Sequence, residues 1–190
     1  MLMRKLAFCA ALFASTAALG CGAEAVEGPG AQAAGTATAP PGAQGQKTSG
    51  SAPDFSLQST EGQTVRLSDY LGKNVVLIDF WSTTCAPCMA EMPHLVDMYK
   101  ARKDKGFVLL AVSADGPESL GDVNRVVHDK EMIFPVLLDQ ETTVTARYNP
   151  KRELPFSVLI DRKGNIVFKR VGYTPGDDKV ITAEVDKALK

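Results

Sequence analysis

The sequence predicts an α/β domain with a central mixed β-sheet flanked by helices, and three observations carry that prediction. Asn74–Trp81 (NVVLIDFW) and Phe107–Ser113 (FVLLAVS) are nearly unbroken apolar runs of strand length, as expected of strands covered on both faces. Helically spaced segments follow both, which implies βαβ crossovers and a parallel core. Toward the C-terminus, Arg162-Lys163-Gly164 separates two further strand-like stretches, a hairpin signal that adds antiparallel strands.

A leader precedes this domain. The chain has 190 residues, 45% of them hydrophobic, enough for one well-cored domain and an additional segment. Arg4 and Lys5 stand before the apolar run Leu6 to Leu19, too short to span a bilayer comfortably and laid out like a secretory signal. Ala18-Leu19-Gly20-Cys21 resembles a bacterial lipobox, with Ala18 where that pattern usually has Leu. The preferred reading is therefore a signal over residues 1–20 and a lipid anchor on Cys21. Cleavage after Ala23-Glu24-Ala25 is the alternative, and it would release a soluble protein. Residues 21–50 are Gly, Ala, Pro, Gln and Thr with almost no large apolar side chain, which predicts a flexible tether. The folded head then spans residues 51–190. Net formal charge is −1, with no basic patch or charge run, so nucleic-acid binding is not expected.

Within the head, Phe55–Gln58 and Thr64–Leu67 alternate apolar and polar residues around Thr60-Glu61-Gly62, predicting a hairpin at the domain's entrance. The strand Asn74–Trp81 leads straight into Cys85 and a helix from Pro87 to about Arg102, with Met92, Leu95, Val96 and Tyr99 on one face. After the strand Phe107–Ser113 comes a helix over Glu118–Lys130. A third strand at Phe134–Leu138, a short helix at Thr142–Tyr148, the hairpin strands Phe156–Asp161 and Asn165–Arg170, and a last helix near Asp177–Leu189 complete the reading.

The chemistry centres on WSTTCAPCMAEMP, residues 81–93, where two residues separate Cys85 from Cys88. Three readings compete. A zinc site needs four ligands, and only His94 and His128 are available in the head, on different helices. A structural staple over so short a loop removes little chain entropy. A redox pair at a strand-to-helix turn fits, because a thiolate at a helix N-terminus is stabilised by unpaired amides and the helix dipole. Its pKa can fall to somewhere within about 3.5–7.5. Cys85 is then the nucleophile and Cys88, one turn into the helix, the resolving thiol.

FWSTTCAPC, the following Glu91-Met92-Pro93, AVSAD, FPVLLD, LPFSVLID and Gly164 together resemble the thioredoxin superfamily. More narrowly they are similar to its TlpA/ResA type of exported, membrane-tethered thiol-disulfide oxidoreductases. The resemblance covers essentially the whole head and implies a thioredoxin-like fold with an N-terminal β-hairpin and an inserted β-α unit at about Phe107–Ile133. Asp79 matches the buried aspartate of thioredoxin, and a carboxylate buried in an apolar strand has a raised pKa that suits a proton acceptor for the resolving thiol. A solvated strand edge is the plainer alternative. Glu91 matches the glutamate that the ResA-like branch places beside its active site, although an acid in a helix's early turns is favourable anyway. Pro155 matches the cis-proline of the superfamily, which implies that the backbone of Leu154 pairs with a substrate chain. Trp81 is expected to cover the active-site loop, with Ala86 and Pro87 contributing to the substrate face. Thr84 and Ala86 depart from the Trp and Gly common at those positions.

The expectation is an exported oxidoreductase acting on disulfide-bearing extracytoplasmic proteins, with apocytochrome c the target that the resemblance implies. No cofactor and no metal is expected, the head is expected to be a monomer, and a membrane electron donor is expected to recharge it. A peroxidase of peroxiredoxin type is disfavoured because Ser82 stands where P-x-x-x-T-x-x-C requires Thr, with no Pro four residues before it. A copper chaperone uses a longer cysteine spacing. A non-catalytic binding module would have lost the two cysteines.

Overall fold

The computed structural model describes residues 45–190. The expected signal segment, Cys21 and most of the expected tether lie outside the described residues. Among the described residues no helix is long and apolar enough to cross a membrane.

Seven strands form one mixed sheet, β1 (Ser56–Ser59), β2 (Thr64–Arg66), β3 (Val75–Trp81), β4 (Phe107–Ser113), β5 (Val136–Leu138), β6 (Phe156–Ile160) and β7 (Ile166–Val171), in the spatial order β2-β1-β5-β4-β3-β6-β7. Strands β3, β4 and β5 run parallel, β6 pairs antiparallel with β3, and β7 pairs antiparallel with β6 at the sheet's edge. The N-terminal hairpin does not sit at an entrance. It extends the sheet, because β1 pairs antiparallel with β5 through Gln58–Leu138 and Ser59–Leu137. Backbone donors and acceptors left free at the edge of β5 explain that placement.

Every residue of β3 is buried, and alternate side chains serve two cores. Val75, Leu77 and Trp81 join helices α1 (Ala86–Arg102) and α4 (Asp177–Leu189) on one face, together with Val123 of α2 (Leu120–Asp129). Val76, Ile78 and Phe80 pack on the other, against Phe55, Leu67, and Val144 and Tyr148 of α3 (Thr143–Tyr148). Helix α2 starts later than the sequence predicts, because Pro117–Ser119 forms a separate 3-10 turn. Strand β5 is also shorter, beginning only at Val136 after Pro135.

The turn between β6 and β7 depends on Gly164, whose φ of 82° lies in the left-handed region and whose N–H donates to Asp161 O at 3.0 Å. Asp161 Oδ1 accepts from the N–H groups of Lys163 and Asn165, both at 2.9 Å, closing the hairpin. Residues ahead of Ser51 also pair with the sheet. Gln46 exchanges both backbone hydrogen bonds with Lys169, at 2.7 and 2.9 Å, and Ile166 N–H donates to Gly50 O at 2.8 Å, so this stretch lies along the outer edge of β7.

Asp139, wholly buried after β5, holds the start of α3. It accepts from Val144 N–H at 3.2 Å, Thr145 N–H at 2.6 Å and Thr145 Oγ1 at 2.7 Å. Asp139→Ala leaves these donors without an acceptor and is expected to cost about 2–3 kcal/mol, read as a lower urea midpoint at unchanged slope.

Candidate active site

Strand β3 ends at Trp81, and the chain turns through Ser82–Thr84 into Cys85, the N-cap of α1. Cys85 has extended φ and ψ of −87° and 98°, and its Sγ accepts from the Cys88 N–H at 3.2 Å, serving one of the free amides that open the helix. Pro87 in the first turn sacrifices no hydrogen bond there. The loop is also held from the side: Asp115 accepts from Thr83 N–H at 3.0 Å and from Thr83 Oγ1 at 2.7 Å, and Ser113 Oγ donates to it at 2.8 Å.

Cys85 and Cys88 are disulfide-bonded with a Cα–Cα distance of 5.3 Å. The two sulfurs are not equivalent. Cys85 is half-buried, whereas Cys88 is only 1% exposed and packs with Trp81 and Met92 in the α1-side core. Attack from solution is thereby directed to Cys85.

On that same side of the sheet lies a row of polar residues that apolar patterning conceals. The register pairs Asp79 of β3 with Ser157 of β6, and Ser157 with Arg170 of β7, so the three side chains stand abreast on adjacent strands. Ser157 Oγ donates to Asp79 Oδ1 at 2.9 Å, and Arg170 Nη2 donates to Ser157 Oγ at 3.5 Å and to Glu91 Oε1 of α1. All four residues are buried, none more than 1% exposed. Burial pushes the Asp79 carboxyl up to about 7, against the lowering effects of the Ser157 hydroxyl and of Arg170. Burial also pulls the Arg170 guanidinium below its usual value, although Asp79 favours its charged form.

Glu91 is therefore neither an exposed first-turn acid nor an isolated carboxyl but the buried partner of Arg170. Sequence pattern singles out neither Ser157 nor Arg170. The available signal for Arg170 is its spacing: it lies two residues beyond Phe168 in a strand, which places both on one face.

Opposite the pair, β6 begins at Phe156, which faces Phe80. The preceding Leu154-Pro155 peptide, which is cis, therefore meets the loop that follows Trp81. Pro155 O accepts from Gly172 N–H at 2.7 Å, and Leu154 is half-buried against both cores. A groove of about 390 Å³ opens here between Ser82, Thr84, Asp115, Arg152 and Leu154. Ala86 and Pro87 are exposed beside it. Trp81 is not a surface cover: its exposure is 0%, so it supports the loop from beneath and cannot touch a docked chain directly. His94 and His128 are exposed on separate helices.

Comparison with known proteins agrees with this geometry. A sequence profile of the AhpC/TSA family matches residues 49–169. Thiol-disulfide oxidoreductase ResA of Bacillus cereus is 38% identical over 112 residues, 59% of this chain and 62% of the relative. The chain thus spans about three fifths of the length of the curated relatives it matches. Among solved structures, a Chlorobium tepidum protein described as thiol:disulfide interchange protein DsbE superposes with a TM-score of 0.69 at 34% identity, over 76% of this chain and 99% of that one. A thiol:disulfide interchange protein from Bacteroides sp. gives a TM-score of 0.60 at 30% identity, over 74% of this chain and 88% of that one. The fold is thioredoxin-like.

Asp79 couples the site to stability. In the unfolded chain it ionises near its ordinary value of 3.8, and in the fold it keeps its proton to about 7. The folded state binds the extra proton between those values, so this contribution is present at low pH and is lost as pH rises through 7. Asp79→Asn removes the loss. Thermal melts are expected to show a gain that grows from pH 4 to 7 and levels off above, on the order of a few kcal/mol at pH 8.

Proposed function

Because this chain belongs to the AhpC/TSA family and has a thioredoxin-like fold, we propose that it is an exported thiol-disulfide oxidoreductase that reduces disulfides in extracytoplasmic partner proteins. The observation that carries this reading is the asymmetry of the pair, a half-exposed Cys85 capping α1 and a buried Cys88 bonded to it.

In the reduced protein, the Cys85 thiolate attacks one sulfur of the partner's disulfide. A Cys85–partner disulfide forms, and the partner's other sulfur leaves as a thiolate that takes a proton from solvent. Cys88 then gives its proton to Asp79, which is ionised in an increasing fraction of molecules as pH approaches 7. The Cys88 thiolate attacks Cys85 Sγ, closing the Cys85–Cys88 disulfide and expelling the second partner sulfur. Two electrons pass to the partner, and the disulfide-bonded form described above is the oxidised product. An external dithiol must reduce it again, and a membrane-bound donor suits an exported protein. No cofactor takes part in this scheme.

Docking falls at the Leu154-Pro155 edge, where the groove beside Thr84 and the exposed Ala86 and Pro87 offer room for an extended chain. The names of the relatives support the chemistry, and the basic-then-apolar leader supports export. Apocytochrome c is the partner that the family resemblance suggests. Cys21 is the proposed lipid attachment point, holding a monomeric head at the membrane.

Insulin reduction with dithiothreitol checks the chemistry: Cys85→Ser and Cys88→Ser are each expected to fall to the uncatalysed rate, with Cys88→Ser accumulating a mixed disulfide. Unchanged turnover in both variants would sink the proposal. Mass spectrometry of the mature N-terminus checks the anchor, with a diacylglycerol-bearing Cys21 expected. An unmodified start after Ala25 would rule it out.

A further inference from the structure

Two carboxylates are linked to one guanidinium, Glu91 directly and Asp79 through the Ser157 hydroxyl. Arg170 Nη2 donates to Glu91 Oε1 on α1 and, at 3.5 Å, to Ser157 Oγ on β6, and Ser157 spends its single O–H on Asp79 at 2.9 Å. The donor direction runs one way, from Arg170 through Ser157 to Asp79. Positive charge on Arg170 is thus felt at Asp79 through a polarised hydroxyl, in surroundings that screen it weakly. Glu91 draws on the same charge directly, through the same Nη2. Resting on the thiol-disulfide reading above, we propose that Arg170 is a positioning residue shared by the two acids, and that Glu91, by engaging it, sets the pH at which Asp79 accepts the Cys88 proton.

This divides the labour between the two acids. Asp79 is the acid-base group, and Glu91 regulates it without handling the proton. The other groups facing Arg170 are few. The Tyr173 ring lies over the guanidinium with its centroid at 5.7 Å, and Asp177 and Asp178 at the start of α4 add negative charge nearby. Arg170 Nε and Nη1 and Glu91 Oε2 are buried without hydrogen-bond partners, so the guanidinium has donors to spare for an acid other than Glu91.

Two variants separate this proposal from a merely structural ion pair. Glu91→Gln removes a negative charge and leaves Arg170 to Asp79 alone, so the Asp79 titration should move down by about one pH unit. The double variant Glu91→Gln/Arg170→Met removes both members of the ion pair, so neither is left charged and unpaired, and without the cation the Asp79 titration should move up by about one unit. The carboxyl carbon of Asp79, followed by NMR in the oxidised protein, reads both shifts without turnover. The midpoint of the pH profile for insulin reduction should move in the same two directions. Shifts of one sign in both variants, or a stationary Asp79, would overturn the assignment. If Cys85→Ser and Cys88→Ser leave insulin reduction untouched, the underlying function fails instead, and the NMR titration still reports on the charge network.

Discussion

An ion pair sealed from water is the constraint around which this site is organised. Glu91 and Arg170 have each given up hydration, and a buried pair of this kind is tolerated only when both partners stay in place. Removing one leaves an uncompensated charge at a cost of about 3–5 kcal/mol. The pair joins elements far apart in sequence, the active-site helix α1 and the edge strand β7. Because Glu91 stands three residues after Cys88, one helical turn, anchoring the carboxylate also fixes the turn that carries the buried thiol. The cross-strand row Arg170, Ser157, Asp79 extends that anchorage beneath the cysteines to β3.

The second constraint is the junction between β3 and α1. A strand buried on both faces delivers the chain to the carboxyl end of the sheet, and the helix begins at once, with its free amides directed at Cys85. The Asp115 carboxylate holds the intervening loop through Thr83. Rigid positioning of one sulfur in the opening and the other in the core follows from these contacts, and it gives the two cysteines different accessibility from an otherwise symmetrical motif.

Much of this was legible in advance because it follows from local periodicity. The runs that became β3 and β4 are apolar on both faces, and no other element accommodates such a run so simply. The cysteines were legible for the same reason, since the strand that precedes them ends so sharply. Arg170 was not, because an arginine at the end of a strand ordinarily reads as surface. Its spacing from Phe168 is consistent with a shared face, but only the cross-strand register shows that it lies beside Ser157. Glu91 matched an expected position, but its partner lies 79 residues away, and no local pattern could supply it. The pairing of Gln46 and Gly50 with β7 was hidden for another reason: it uses backbone atoms alone, and side-chain composition carries no trace of it.

That backbone pairing gives the head a direction. From Ser51, which bridges to Asn165, back to Gln46, which bridges to Lys169, the chain climbs β7 toward Val171, whose cross-strand partner is Phe156, the residue after Pro155. The chain therefore enters the folded head at the reactive end of the sheet, not at its far pole.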